Sequence, residues 1–149
     1  MTPPPTIIKS QTVDTVIIQT PVNNRVLDFT SSSNDKEPLI LVNKHSGESQ
    51  RWELRKQGSF YIISSMVNSR VLDFRNAQNN KEPVILVNYH GGDSQQWSLE
   101  KLPNGRYLIK SKVNGRVLDF TNSENNKEPV ILTNEHRGYS QQWVLESTR

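Results

Sequence analysis

Apolar residues along this chain come in short runs separated by polar stretches rich in Asn, Ser and Gly, with no helical periodicity sustained over ten residues. The runs VIIQ (16–19), YIIS (61–64) and YLIK (107–110) are β-branched or aromatic and bounded by turn residues, which predicts strands. Each leads into a turn dipeptide, Asn23-Asn24, Asn68-Ser69 or Asn114-Gly115. Asn-Gly is the strongest two-residue hairpin signal because both positions accept positive φ. RVLDF follows, predicting a strand with Leu27 and Phe29 on one face and Asp28 on the other. After a polar loop come LILV, VILV or VILT, and after a Gly-containing loop QRWEL, QQWSL or QQWVL.

The pattern is one unit said three times. Arg25, Arg70 and Arg116 are 45 and 46 residues apart, as are Trp52, Trp97 and Trp143. Four short strands per unit give about twelve. An open solenoid of such units would need capping, whereas a closed threefold arrangement removes exposed edges. The expected fold class is therefore all-β: a β-trefoil of three pseudo-symmetric four-stranded repeats (about 14–59, 60–105 and 106–149), with a three-bladed propeller as the alternative. Period-two geometry places Gln50 with Trp52, Gln95 with Trp97 and Gln141 with Trp143 on one strand face. There each Trp is expected to fill the core and each Gln to satisfy backbone groups otherwise left unpaired.

Composition narrows this picture. At 149 residues the chain fits one domain, and the absence of cysteine excludes disulfides and thiolate metal sites. No apolar run approaches the roughly 20 residues of a membrane-spanning helix, so no membrane insertion is expected. The opening MTPPPTIIKSQT lacks the features of a secretory signal and reads as a Pro-rich tail, residues 1–13, ahead of the body at 14–149. A soluble protein, cytoplasmic or exported by a non-classical route, is the expectation. Net charge is +3, but 18 Lys and Arg are scattered among 15 Asp and Glu without a basic block, so no nucleic-acid partner is expected.

Three LD motifs in register with three Gln-x-Trp motifs, over roughly residues 14 to 147, resemble the ricin-type β-trefoil lectins. The resemblance implies that the Asp of each LD motif (Asp28, Asp73, Asp119) accepts hydrogen bonds from sugar hydroxyls, typically of galactose or N-acetylgalactosamine. Where that family places a stacking aromatic residue, this chain has Val42, Val87 and Thr133; where it places an assisting Asn, the chain has Ser49, Ser94 and Ser140. Other recurring groups are candidates for those roles: Asn43, Asn88 and Asn134, and His45, His90 and His136, in the loop that would face the Asp. Imidazole offers both a donor and an apolar face. Tyr89 is a candidate stacker in the second repeat only, and Tyr139 is a single aromatic near the third site.

Each recurring residue also has a structural reading. The Asp could bridge to an Arg or cap a turn, the His could bond loop backbone, and the Asn could form turns. The KEP segments (Lys36-Glu37-Pro38 and copies) are expected to start a strand at Pro, with solvated charges. Arg25, Arg70 and Arg116 are expected to pair with a carboxylate, and Phe29, Phe74 and Phe120 to lie in the core. Threefold symmetry would hold the three His apart, and no nucleophilic constellation or close acid pair is evident, so neither an enzyme nor a metal or cofactor site is expected. The functional expectation is a lectin, monomer or homodimer, with up to three sites for glycans or glycoproteins and multivalent, agglutinating binding. The alternative is a non-catalytic trefoil scaffold that binds a protein partner or targets a larger toxin assembly.

Overall fold

The computed structural model describes residues 13–148, so the expected tail, Val13 apart, lies outside the described residues. Each repeat opens on a long strand, β1 (Val13–Gln19), β6 (Phe60–Ser65) or β11 (Tyr107–Ser111), and closes on another, β5 (Trp52–Gln57), β10 (Trp97–Lys101) or β15 (Val144–Ser147). Between them lie three short strands: β2 (Val26–Asp28), β3 (Glu37–Pro38) and β4 (Ile40–Val42) in the first repeat, β7 (Val71–Asp73), β8 (Glu82–Pro83) and β9 (Ile85–Val87) in the second, and β12 (Val117–Asp119), β13 (Glu128–Pro129) and β14 (Ile131–Thr133) in the third. The described residues thus hold five strands per repeat rather than four, because Glu-Pro itself pairs. Pro ends that short strand instead of starting it.

The six long strands form a barrel. β15, β1, β5, β6, β10 and β11 pair antiparallel in that order, and Tyr107 and Trp143 exchange two backbone hydrogen bonds of 2.9 Å that close the ring. Closure leaves the barrel without a free edge. The hairpins β2–β4, β7–β9 and β12–β14 cap one end. They are linked in a cycle, β3 to β9, β8 to β14 and β13 to β4. Around the same axis Leu39 donates to Val84, Val84 to Val130 and Val130 to Leu39, each at 3.0 Å. The result is a β-trefoil.

The core repeats with the sequence. Trp52, Trp97 and Trp143 are wholly buried, and each indole N–H donates to the carbonyl of Leu27, Leu72 or Leu118 at 3.2–3.3 Å. A buried Trp needs such a partner for its polar edge. Phe29, Phe74 and Phe120 meet the indoles edge-on at 6.0, 6.1 and 6.3 Å, as their expected core position requires. Gln50, Gln95 and Gln141 are equally buried, but each closes a short 3-10 turn (Glu48–Gln50, Asp93–Gln95, Tyr139–Gln141) rather than sharing the strand with its Trp.

Two further expectations are corrected. In the turns after β1, β6 and β11 only the second residue of the dipeptide has positive φ (Asn24 64°, Ser69 63°, Gly115 71°). The first, Asn23, Asn68 or Asn114, instead accepts a hydrogen bond at 3.0 Å from the Arg amide two residues on. The Arg side chains do not seek carboxylates. Arg25 donates to the carbonyl of Asn125, Arg70 to that of Asn34 and Arg116 to that of Asn79. The amides of Asn23, Asn68 and Asn114 reach the same neighbouring loops, at Ser123, Ser32 and Ala77. Each repeat therefore clamps the polar loop of the one before it in the cycle.

Candidate functional site

The three LD motifs end β2, β7 and β12, which delivers Asp28, Asp73 and Asp119 to the rim of each hairpin. Their side chains are nearly buried, with 7–8% exposure. One carboxylate oxygen, Oδ1, accepts from the next backbone N–H at 2.6–2.7 Å. The other, Oδ2, accepts from the Gln amide at 2.9–3.0 Å. The turn-cap reading of the Asp therefore holds for one oxygen, and Oδ2 keeps a side facing the loop.

The Gln is the organiser. Its Oε1 accepts from two successive loop amides (His45 and Ser46, His90 and Gly91, His136 and Arg137) at 2.8–3.1 Å. Its Nε2 donates to the carbonyl of Asn43, Asn88 or Asn134 as well as to the Asp. With four hydrogen bonds from one buried amide, the loop is fixed relative to the carboxylate, and truncation would leave several of these groups unpaired.

The His follows from that loop. Nδ1 of His45, His90 and His136 accepts from the amide of Gly47, Gly92 or Gly138 at 2.9 Å. A neutral imidazole so engaged carries its proton on Nε2. That nitrogen lies 3.6, 3.4 and 3.7 Å from the Asp Oδ2. The backbone-bonding reading and the ligand reading thus describe opposite edges of one ring, which is more than half exposed. The glycine keeps the ring in this position, since a Cβ at Gly47, Gly92 or Gly138 would sit 2.8 Å from the imidazole Cε1 and displace it. The His-x-Gly spacing repeats three times and signals this arrangement, a signal that reading the His alone misses.

The remaining candidates separate. Asn43 and Asn134 turn their side-chain oxygens to the Arg25 and Arg116 guanidinium groups, at 3.3 and 3.1 Å. In the second repeat a shallow depression of about 300 Å³ lies over Asp73 and His90, and Asn88 lines it. Asp35 and Lys36 from the first repeat and Arg75 also contribute to it; of these only Lys36 belongs to a recurring motif, KEP. Tyr89 does not line that depression. Its ring faces away, into a separate cleft, and its hydroxyl accepts from Gln57 at 3.1 Å. Tyr139 is exposed beneath the Arg106 guanidinium. In the third repeat Thr133 Oγ donates to Asp119 Oδ2 at 2.5 Å and accepts from Gln141 at 2.9 Å. Val42 and Val87 make no such bond at the equivalent positions.

The KEP glutamates support the rim from below, buried rather than solvated. Glu37 accepts from the Thr30 and Ser31 amides, the Thr30 hydroxyl and Asn34, and Glu128 repeats the set with Thr121, Asn122 and Asn125. Glu82 lacks the hydroxyl donor because Arg75 stands where those repeats have Thr. Burial disfavours the charged form of Glu37 and Glu128, but hydrogen bonds from the Asn side chain, loop amides and Thr hydroxyl outweigh it and hold both below the usual carboxylate range. No group of three or more metal-ligating side chains occurs among the described residues. No helix there is long and apolar enough to cross a membrane.

The family model described as the ricin-type beta-trefoil lectin domain matches residues 14–143. Among solved structures, the chain is similar to a designed threefold-symmetric protein, ThreeFoil, at 28% identity and a TM-score of 0.84, covering 89% of this chain and 97% of that one. It is similar to a ricin B-like lectin of Macrolepiota procera in complex with lactose, at 20% identity and a TM-score of 0.76, covering 89% and 94%. A mosquitocidal holotoxin aligns at 22% identity and a TM-score of 0.85 over 93% of this chain, which spans only 18% of the toxin chain. Searched against curated proteins, the sequence finds no match.

Proposed function

This chain belongs to the ricin-type β-trefoil lectin family, and on that footing we propose that it is a non-catalytic carbohydrate-binding protein whose lectin domain occupies residues 14–149 behind a short tail. The observation that carries the reading is the pairing, in each repeat, of an Asp Oδ2 acceptor with a His Nε2 donor 3.4–3.7 Å away at the rim. A sugar hydroxyl can donate to the carboxylate while accepting from the imidazole. Charge-assisted hydrogen bonds of this kind are about twice as strong as neutral ones. Asp28 with His45, Asp73 with His90 and Asp119 with His136 are the proposed contacts, with Asn88 beside the second.

Galactose- or N-acetylgalactosamine-containing glycans are the proposed ligands, following the family, and glycoproteins carrying them the partners. Shallow sites bind weakly one at a time, so the protein acts through several sites at once on clustered glycans, with agglutination as the outcome. No cofactor takes part.

The test is a glycan array with the full chain and with D28A/D73A/D119A, each checked for folding by thermal unfolding. Binding to terminal galactose or N-acetylgalactosamine that disappears in the triple variant is expected. Undiminished binding by a folded triple variant would overturn the site assignment.

A second reading rests on the near-complete burial of the three carboxylates, which suits fold-keeping residues on a scaffold for a protein partner or a larger toxin assembly. Capture of a protein from lysate that free galactose does not compete would favour it.

A further inference from the structure

The fold generates three equivalent clefts where the closing strand of one repeat meets the opening strand of the next. In two of them, charged side chains span the gap. Beside β1, Lys44 bonds Glu146 at 2.7 Å, and Gln19 reaches along its own turn to the Asn24 carbonyl. Beside β11, Lys110 lies between Glu100 and Glu135 at 3.0 and 2.8 Å, and Arg137 bonds both acids. At the seam of the first and second repeats the matching residues differ. Tyr89 stands where Lys44 and Glu135 stand, and the small Ser64 stands where Gln19 and Lys110 stand. Among the described residues no ion pair reaches Tyr89, which takes a hydrogen bond from Gln57 across the seam, and a cleft of about 300 Å³ opens there.

Its lining has a definite chemistry. Ile62 and Val71 make an apolar floor, and the half-exposed Tyr89 ring makes one wall. Glu53, Arg55 and Gln57 supply acceptors and donors opposite. Arg55 bonds Glu53 at 3.1 Å, so the polar wall carries no net charge and does not select an ion. An aromatic face beside alternating neutralised donors and acceptors fits a neutral polyhydroxylated ring. The volume is at the lower end of the range for small-molecule sites.

We propose that this cleft is a pyranose-binding site, separate from the Asp73–His90 pair, in which the sugar's apolar face stacks on Tyr89 and its hydroxyls bridge the Glu53–Arg55 pair and Gln57. It needs no contact with any LD Asp. At the other two seams the Lys44–Glu146 pair and the Lys110–Glu100–Glu135–Arg137 cluster stand at the corresponding positions.

The test uses the full chain, ¹⁵N-labelled, titrated to high millimolar with methyl β-galactoside, N-acetylgalactosamine and methyl glucoside. Saturable shifts at Tyr89, Arg55 and Gln57 are expected with at least one probe. They should persist in D73A, weaken about fivefold to tenfold in Y89A, the scale of a lost aromatic contact, and vanish in S64K/Y89E, which transplants the Lys110–Glu135 pair of the third repeat. If the double variant does not fold, Y89A decides. Absence of shifts at these residues with every probe would overturn the proposal, as would shifts lost in D73A and kept in Y89A. Shifts confined to Asp73 and His90 would sink this cleft while leaving the proposed lectin function intact.

Discussion

The second and third repeats share the residues that build the trefoil and differ in those around its rims. Trp97 and Trp143, Gln95 and Gln141, Asp73 and Asp119, His90 and His136 superpose in role, down to hydrogen bonds that agree within about a tenth of an ångström. Around Asp73 the strand offers Val87, and the acceptor faces an open depression. Around Asp119 it offers Thr133, whose hydroxyl already occupies Oδ2 in the way a ligand hydroxyl would. Beyond the His loop, Tyr89 borders an open cleft where Glu135 pairs with Lys110 and Arg137. One scaffold therefore carries one repeat open at both depressions and one engaged with itself. The difference lies in three positions outside the shared motifs: Val87 against Thr133, Tyr89 against Glu135, and Ser64 against Lys110.

The largest test of this contrast is exchange of the two rim residues. V87T should weaken galactoside binding at the second repeat about tenfold or more, since a carboxylate oxygen already accepting an internal hydroxyl has less capacity for another; T133V should strengthen the third by a similar factor. Site-resolved shift titrations of both variants check this, and equal behaviour of the two repeats in wild type would break the comparison. Next in size is the His-x-Gly device. G92A forces the His90 ring to move because its Cβ would lie 2.8 Å from Cε1. It should cost severalfold in affinity at the second repeat while leaving the third unchanged.

Two of the buried rim glutamates tie stability to pH. Glu37 and Glu128 ionise more readily folded than unfolded, so their contribution is complete above the usual glutamate value near 4.5 and is lost as pH falls through their lower folded values. Thermal unfolding in that range should flatten in E37Q and E128Q. The smallest effect expected is from R75T, which gives Glu82 the hydroxyl donor its counterparts have. It should raise stability by about 0.5–1.5 kcal/mol, read by denaturant unfolding.

Much of this was legible in the chain. The LD and Gln-x-Trp motifs identify the fold because each residue answers a need internal to one repeat: Phe29 and Trp52 meet within the core, and Gln50 serves a loop only a few residues upstream. The buried glutamates were less visible. A charge in a polar loop reads as solvated, although the thrice-repeated Asn-x-x-Glu spacing (Asn34–Glu37, Asn79–Glu82, Asn125–Glu128) marks the bond that holds it. Tyr89 could be picked out as the odd aromatic, yet the side it faces depends on Ser64 and Gln57 from neighbouring strands.

By itself the sequence determined the repeat, four of the five strands in each unit and the core, because local periodicity and short-range hydrogen bonding decide those. Only the tertiary structure decided which groups meet across repeats: Arg25 with the Asn125 carbonyl 100 residues away, Leu39, Val84 and Val130 around the axis, and Lys44 with Glu146. The repeat marks Leu39, Val84 and Val130 as equivalent but not as partners, and only closure of the barrel and its cap around one axis brings such groups within reach.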